Sequence, residues 1–229
     1  MGQGGDLLTG AVVLLSGGLD STTVASLLRS RGEKFSALTL DYSQRHSKEI
    51  DAAINIATKL GAAEHLVMKI DLSGIGGSAL TDRNIDVPEP GGEGIPATYV
   101  PARNTIFLSL ALAFAEARDF DFVYIGANAV DYSGYPDCRP EYIDAFNRMA
   151  ALALKRGVEG RPVTVVAPLM KMSKAEIVRL GMRLNAPYEL SWSCYRGTGK
   201  ACGRCDSCNL RLKGFMEAGI RDPIEYENQ

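Results

Sequence analysis

No run of five or more basic residues occurs anywhere in this chain, and its 25 lysines and arginines are outnumbered by 27 acidic residues. The net charge of −2 and the scattering of the basic residues therefore advertise no nucleic-acid surface. No apolar stretch approaches the roughly 18 residues a membrane helix needs. The segment from Met1 to Thr9 has neither a basic flank nor a small-residue cleavage site, so a cytoplasmic protein with no membrane association is expected. The Gly-x4-Gly-Lys-Ser/Thr loop is also missing, which excludes the commonest phosphate-binding motif.

Cysteine is scarce but clustered. Four of the five cysteines, Cys194, Cys202, Cys205 and Cys208, fall close together, and Cys138 stands alone. An odd count with this spacing fits a metal site in a reducing compartment better than a disulfide framework. Four thiolates suit a closed tetrahedral zinc site, structural rather than catalytic, with Gly203 loosening the turn between ligands. An iron–sulfur cluster or unrelated buried cysteines are the rival readings.

Hydrophobic residues make up 46% of the chain and charged ones 23%, the balance of an ordinary globular domain able to bury its core without disulfides. Short apolar runs at Ala11–Leu15, Phe35–Leu40, Leu66–Ile70, Phe122–Gly126 and Val163–Val166 read as buried strands. Helical patterns lie between them, at about 21–31, 47–60, 104–117, 141–155 and 174–184. In the second, Ile50, Ala53, Ile54 and Ala57 share a face; the third is apolar nearly all round and so should be buried. Five alternations predict an α/β fold, a doubly wound five-stranded parallel sheet over 8–187, followed by a small zinc-binding subdomain over 188–229. The Gly- and Pro-rich stretch 71–98 is too long for a plain connector and reads as a functional insertion. Within it, Gly74 to Ala79 loosely fits a dinucleotide loop, but Pro88 and Pro90 leave no room for the helix such a loop requires.

Chemistry concentrates where the first strand meets its helix, at Ser16-Gly17-Gly18-Leu19-Asp20-Ser21-Thr22. Paired glycines let successive N–H groups converge on one anion, the helix start adds positive potential, and the hydroxyls add donors. A plain strand-to-helix turn capped by Ser or Asp is the bland alternative. Asp20 would repel an anion unless it binds magnesium or orients the loop. Ser173 with Glu176 has the spacing of a capping box.

This loop resembles the signature of the PP-loop ATP pyrophosphatases, Ser-Gly-Gly-x-Asp-Ser. The resemblance implies that ATP is cleaved between its α and β phosphates, with Mg²⁺ accompanying it and adenine read by the backbone around Leu40, Asp41 and Tyr42. The segments Asp41 to His46, Val100 to Asn104, Ser133 to Arg139 and Ser193 to Tyr195 narrow the likeness to the 7-cyano-7-deazaguanine (preQ0) synthase family of queuosine biosynthesis. It extends from about Ala11 to Met216. Ser43 and Ala102 depart from it, standing where glycine is common in the family.

What the family implies is a carbon–nitrogen ligase, homodimeric, converting 7-carboxy-7-deazaguanine, ammonia and ATP to a nitrile through an acyl-adenylate and an amide. Nucleotide contacts are then expected at Leu14, Leu15, Ser16, Gly17, Gly18 and Leu19. They continue through Asp20, Ser21, Thr22, Thr23 and Val24, and recur at Leu40, Tyr42, Arg103 and Asn104. Asp20, Ser21, Arg103 and Lys174 are the expected catalytic group, Arg103 and Lys174 neutralising phosphate oxygens. Gln44, Arg45, His46, Asp131, Tyr132, Tyr135, Asp137, Cys138 and Arg139 are the expected substrate contacts. His65, opening a strand, is expected to be structural. A tRNA sulfurtransferase of the same superfamily, with Cys138 carrying a persulfide, is the competing enzyme. A non-catalytic zinc-ribbon RNA binder is the competing reading from another class.

Overall fold

The structure is a computed structural model that describes residues 10–44, 48–82, 84–88, 94–128, 135–196 and 199–227. Five parallel strands form one sheet in the order β3-β2-β1-β4-β5. They are β1 (Ala11–Leu14), β2 (Phe35–Asp41), β3 (His65–Lys69), β4 (Phe122–Tyr124) and β5 (Thr164–Val166). The helices are α1 (Leu19–Ser30), α2 (Lys48–Leu60), α3 (Arg103–Ala117), α4 (Pro140–Ala153), α5 (Lys155–Val158), α6 (Lys174–Arg183) and α7 (Asp206–Ala218).

The two-residue period of a strand divides the core in two. Ala11, Val13, Phe35, Ala37, Phe122 and Tyr124 enter one apolar cluster with Val24 and Leu28 of α1, Ile56 of α2 and Ile177 of α6. Val12, Leu38, Leu40, Val123 and Val165 enter the opposite cluster with Leu108 and Leu112 of α3 and Phe146 of α4. Because both faces are covered there, the central strands β1 and β4 read as continuous apolar runs instead of alternating ones.

Several expectations shift in detail. On α2 the buried face is Ala52, Ala53, Ile56, Ala57 and Leu60, while Ile54 is exposed: the helix is rotated so that its small residues meet the sheet. Helix α3 is not buried all round, since Ser109 and Ala113 face solvent. Helix α4 stops at Ala153 because Leu154 turns to extended backbone (φ −97°, ψ 147°), and the chain restarts as α5. The Gly74–Ala79 stretch forms turns with Gly76 and Gly77 at positive φ, and no dinucleotide helix follows it. Helix α7 was not foreseen at all.

Residues from Tyr188 onward serve two cores. Tyr188 and Phe215 complete the cluster beneath α1 and α6, whereas Cys194, Ala201, the three other clustered cysteines and Tyr226 form a separate small one. A buried ion pair staples this region: Arg211 grips Asp222 through Nε–Oδ2 (2.7 Å) and Nη2–Oδ1 (2.9 Å). Arg211 Nη1 also donates to Ser191 Oγ at 2.8 Å, and Tyr226 donates to Asp222 at 2.7 Å. Every lone pair of the buried carboxylate that matters is thus engaged, the condition under which a buried charge is tolerated.

Candidate active site

Strand order reverses between β1 and β4, since β1 leads outward to β2 and β4 leads outward to β5 on the other side. The loops after these two strands therefore part at their carboxyl ends and leave a crevice. A cavity of about 250 Å³ lies there.

Its floor is the Ser16–Ser21 loop. Gly17 turns at φ +81°, and a Cβ there would sit 2.3 Å from the carbonyl oxygen of Glu49 and 2.9 Å from the backbone nitrogen of Ala53, so glycine is required on both counts. Ser21 Oγ lies 3.2 Å from the Ser16 amide and 3.1 Å from Ser16 Oγ, and donates to the Gly18 carbonyl, which holds the loop in a closed curve. Gly18 caps α1 with extended backbone and no side-chain hydrogen bond. The first amides of α1 are therefore left for a ligand, with the partial positive charge of the helix start behind them.

Asp20, the charge that would oppose an anion, is answered by Lys174. Lys174 Nζ lies 2.8 Å from both Asp20 oxygens, with both side chains largely shielded from solvent. Lys174 is presented by the first residue of α6, whose start is fixed by the Ser173–Glu176 capping box (Ser173 N to Glu176 Oε2, 2.8 Å; Glu176 N to Ser173 Oγ, 3.3 Å).

The opposite wall comes from the loop after β4 and from α3. A Cβ on Gly126 would meet the Ser21 nitrogen at 2.9 Å and the Asp20 carbonyl carbon at 3.0 Å, so the two loops approach backbone to backbone. Asn128 ties this loop to the Met172 carbonyl at 2.7 Å. Arg103 stands at the first position of α3 with its guanidinium 5.9 Å from the centre of the Tyr42 ring. Ala102, immediately before it, takes φ +54°, and Ser43 beside Tyr42 takes φ +64°. Both positions where the family commonly has glycine thus adopt the left-handed conformation that glycine favours.

Of the expected contacts, Leu14, Ser16, Gly18, Leu19, Asp20 and Ser21 line the cavity, as do Tyr42, Arg103, Asn104, Tyr135, Cys138 and Lys174. Leu15, Thr22, Thr23, Val24 and Leu40 lie buried beneath it and support the loop; Thr23, for instance, bonds the Tyr188 hydroxyl at 2.7 Å. Gln44 accepts from the Tyr42 amide at 2.9 Å and braces the turn. Asp137 is buried and accepts the Asn104 amide at 3.2 Å, so its carboxylate caps α3 behind the cavity. Arg139 is exposed and donates to the Pro136 carbonyl at 3.2 Å. Arg45, His46, Asp131 and Tyr132 lie outside the described residues. His65 Nε2 pairs with Thr39 Oγ1 at 2.8 Å on the sheet, a structural position.

The cavity also recruits Glu49, Phe107, Gly126, Trp192, Ser193 and Tyr195, which pattern reading did not single out as contacts. Burial raises the Glu49 carboxyl to about 7, Arg103 pulling against it and Cys194 adding to it. Burial, with Asp137 close by, raises the Cys138 thiol to about 11, and Asn104 Nδ2 lies 3.4 Å from its sulfur. A thiol so placed stays protonated at neutral pH.

The four clustered cysteines are all buried, and their sulfurs lie within 4.8 Å of one another, Cys202 and Cys208 at 3.9 Å. Tetrahedral Zn–S bonds of about 2.3 Å require sulfurs about 3.8 Å apart, so the set can close around one such ion. Backbone amides of Arg196 and Cys202 approach Cys194 Sγ at 3.4 and 3.3 Å, and that of Cys205 approaches Cys202 Sγ at 3.4 Å, the donors expected around thiolates. The cluster bears on the phosphate loop directly, for the Trp192 amide donates to the Gly17 carbonyl at 2.9 Å.

Sheet order, the uncapped loop after β1 and the crevice beside it define a PP-loop-type α/β nucleotide-binding fold. The same fold is found in NMN synthetase from Francisella tularensis, with a TM-score of 0.50 at 17% identity over 93% of this chain and 78% of that one. Sequence comparison is more specific. The chain belongs to the queuosine biosynthesis protein QueC family, which matches residues 10–219. It is 57% identical to the 7-cyano-7-deazaguanine synthase of Saccharophagus degradans over 220 residues, spanning 95% of this chain and 98% of that protein. It is equally similar to the synthase of Pseudomonas putida, at 57% over 94% of this chain and 97% of that one.

Proposed function

We propose that this protein makes 7-cyano-7-deazaguanine from 7-carboxy-7-deazaguanine, ammonia and ATP, by adenylating the acid and then the amide it yields. The observation that carries the reading is the Ser16–Ser21 loop, whose free amides open into the same cavity as Arg103 and whose acid is balanced by Lys174.

A carboxylate is a poor acyl donor because oxide would have to leave. Transfer of the α-phosphorus of ATP to a carboxylate oxygen forms a mixed anhydride and releases pyrophosphate; ammonia then displaces AMP to give the amide. Removing the amide oxygen as well requires a second adenylation, after which AMP departs and the nitrile remains. The loop amides, with Ser16 and Ser21, stabilise the charge that gathers on departing pyrophosphate, an electrostatic task worth several kcal/mol when donors are fixed in advance. Mg²⁺ enters with ATP and offsets the same charge. Arg103 neutralises phosphate oxygens with a planar fork. Tyr42 and Tyr135 supply flat faces for the two heterocycles.

Zinc is the metal assigned to Cys194, Cys202, Cys205 and Cys208, holding Trp192 and Tyr195 against the cavity and taking no part in bond-making. A homodimer in the cytoplasm completes the reading. The protonated state of Cys138 argues against the sulfur-transfer alternative, which needs a thiolate or persulfide there.

Incubation with ATP, ammonium and the carboxylate, followed by product masses, tests the proposal. Nitrile, AMP and pyrophosphate should form, with two ATP consumed per nitrile. One ATP per nitrile would remove the second adenylation; ADP and phosphate as products would remove both.

A further inference from the structure

Among the described residues two carboxylates line the cavity, and they are treated differently. Asp20 is held by Lys174 at 2.8 Å. Glu49, half-buried on the first turn of α2, has no hydrogen bond or ion pair to its carboxylate among the described residues. Two further acids near the site are engaged as well: Asp137 by the Asn104 amide and Glu176 by Ser173. A half-buried carboxylate with no hydrogen bond or ion pair among the described residues costs stability, so its position against the cavity calls for a ligand-directed role.

The backbone that carries it is closely held. The backbone of α2 presses on the phosphate loop so closely that Gly17 has no room for a Cβ beside the Glu49 carbonyl. The Glu49 backbone therefore keeps a fixed relation to the phosphate loop, and its side chain reaches into the cavity beside it. Arg103 lines the same cavity, near enough to act on Glu49 electrostatically. Phosphate oxygens directed to Arg103 and the loop would leave Glu49 facing the carbon and nitrogen side of the intermediate.

We infer that Glu49 is the proton acceptor for the nitrogen atom as the amide and then the nitrile are formed. The inference rests on the acyl-adenylate reading above. In the first stage ammonia attacks the acyl carbon, the C–N bond forms, and the C–O bond to AMP breaks with its electron pair leaving on phosphate. The nitrogen sheds one proton to Glu49. In the second stage the adenylyl group passes from ATP to the amide oxygen with release of pyrophosphate, and the nitrogen gives the first of its two protons to Glu49, leaving a C=N–H imidate. Glu49 takes the remaining N–H proton, that electron pair completes the C≡N bond, and AMP leaves with the C–O pair. Nothing is oxidised or reduced, and Glu49 returns each proton to water before it takes the next.

The reading separates Glu49 from adenylation of the carboxylate, which moves phosphorus onto oxygen and needs no base on nitrogen. In E49Q, exchange of labelled pyrophosphate into ATP, driven by the carboxylate without ammonia, should stay within about threefold of the unmodified protein. Nitrile formation from the carboxylate, or from the amide and ATP, should fall about 10²- to 10⁴-fold, the usual contribution of a positioned base. E49D should recover part of that loss, since it restores a base about one methylene too short. Nitrile formation by E49Q within threefold of the unmodified protein would overturn the inference while leaving the adenylation reading intact. Loss of exchange in E49Q together with nitrile formation would assign Glu49 to nucleotide binding and overturn it too. Absence of exchange in the unmodified protein would instead overturn the adenylation reading itself.

Discussion

Lys174 Nζ lies 2.8 Å from both carboxylate oxygens of Asp20, joining the start of α6 to the start of α1 across more than 150 residues of chain. The pair solves a problem posed by the loop itself, which places an acid where phosphate must come. With Lys174 in place the local charge is close to zero, and the helix amides are free to attract the ligand.

Removal of one partner should therefore be worse than removal of both. Lys174→Ala leaves Asp20 facing the phosphates and should weaken ATP binding about 100-fold while lowering stability by about 2 kcal/mol, at the low end for a partly buried pair. The double variant with Asp20→Asn should bind ATP better than Lys174→Ala alone. Calorimetric titration with a non-hydrolysable ATP analogue reads both effects, and additive losses would contradict the coupling.

Gly126 tests the contact between the loops after β1 and β4. An alanine Cβ would strike backbone atoms of Asp20 and Ser21, which cannot swing away as a side chain can. Gly126→Ala should displace the phosphate loop by a few tenths of an ångström and cost about 10²-fold in kcat/KM, with little change in Tm. Unchanged kinetics would show that the loops are not so closely joined.

Cys138 gives a prediction with a defined sign. Its thiol is raised to about 11 in the folded protein, against about 8.5 when the chain is unfolded. Folding thus favours the protonated form: this stability is fully present below about pH 8.5 and is lost as pH climbs through about 11. Alkylation by iodoacetamide should keep accelerating beyond pH 9 instead of levelling off. Cys138→Ser should keep at least about half of the nitrile-forming activity, whereas a persulfide carrier would lose all of it.

The cysteine cluster predicts a thermal effect. A structural zinc site contributes on the order of 10 kcal/mol to ordering its own segment, but only part of this is felt by the whole fold. Cys205→Ser should release the metal and lower Tm by about 10 °C or more, at about 2–4 °C per kcal/mol for a chain of this size. Activity should fall with it, because the Trp192–Gly17 hydrogen bond ties the cluster to the phosphate loop.

Ala102 carries a residue-level cost. At φ +54° its Cβ crowds the backbone, and glycine would relieve about 1 kcal/mol, partly offset by the greater freedom of glycine when unfolded. Ala102→Gly should raise Tm by about 1–3 °C, readable by calorimetry.

The parts of this molecule legible in its sequence are those where chemistry is written in neighbouring residues. The Ser16–Ser21 loop and the four cysteines need particular atoms within a few positions, and both stand where their spacing implied. The central strands β1 and β2 were legible because they are buried on both faces. Glu49 and Gly126 were not, because their roles arise only when α2 and the β4 loop are brought against the first loop by sheet order, which no local pattern encodes. Asp137 has a role that local pattern does not encode: its carboxylate accepts the Asn104 amide at the start of α3. Helix α7 was hidden because its first turn carries Cys208 and its buried side carries Arg211 and Gly214, so the usual apolar stripe is interrupted.

The most direct test is exchange of labelled pyrophosphate into ATP with 7-carboxy-7-deazaguanine present and ammonium withheld. Label should enter ATP only when that acid is supplied, and Lys174→Ala should slow its entry severely. Release of ADP and inorganic phosphate, with no label entering ATP, would contradict the claim that this loop grips departing pyrophosphate.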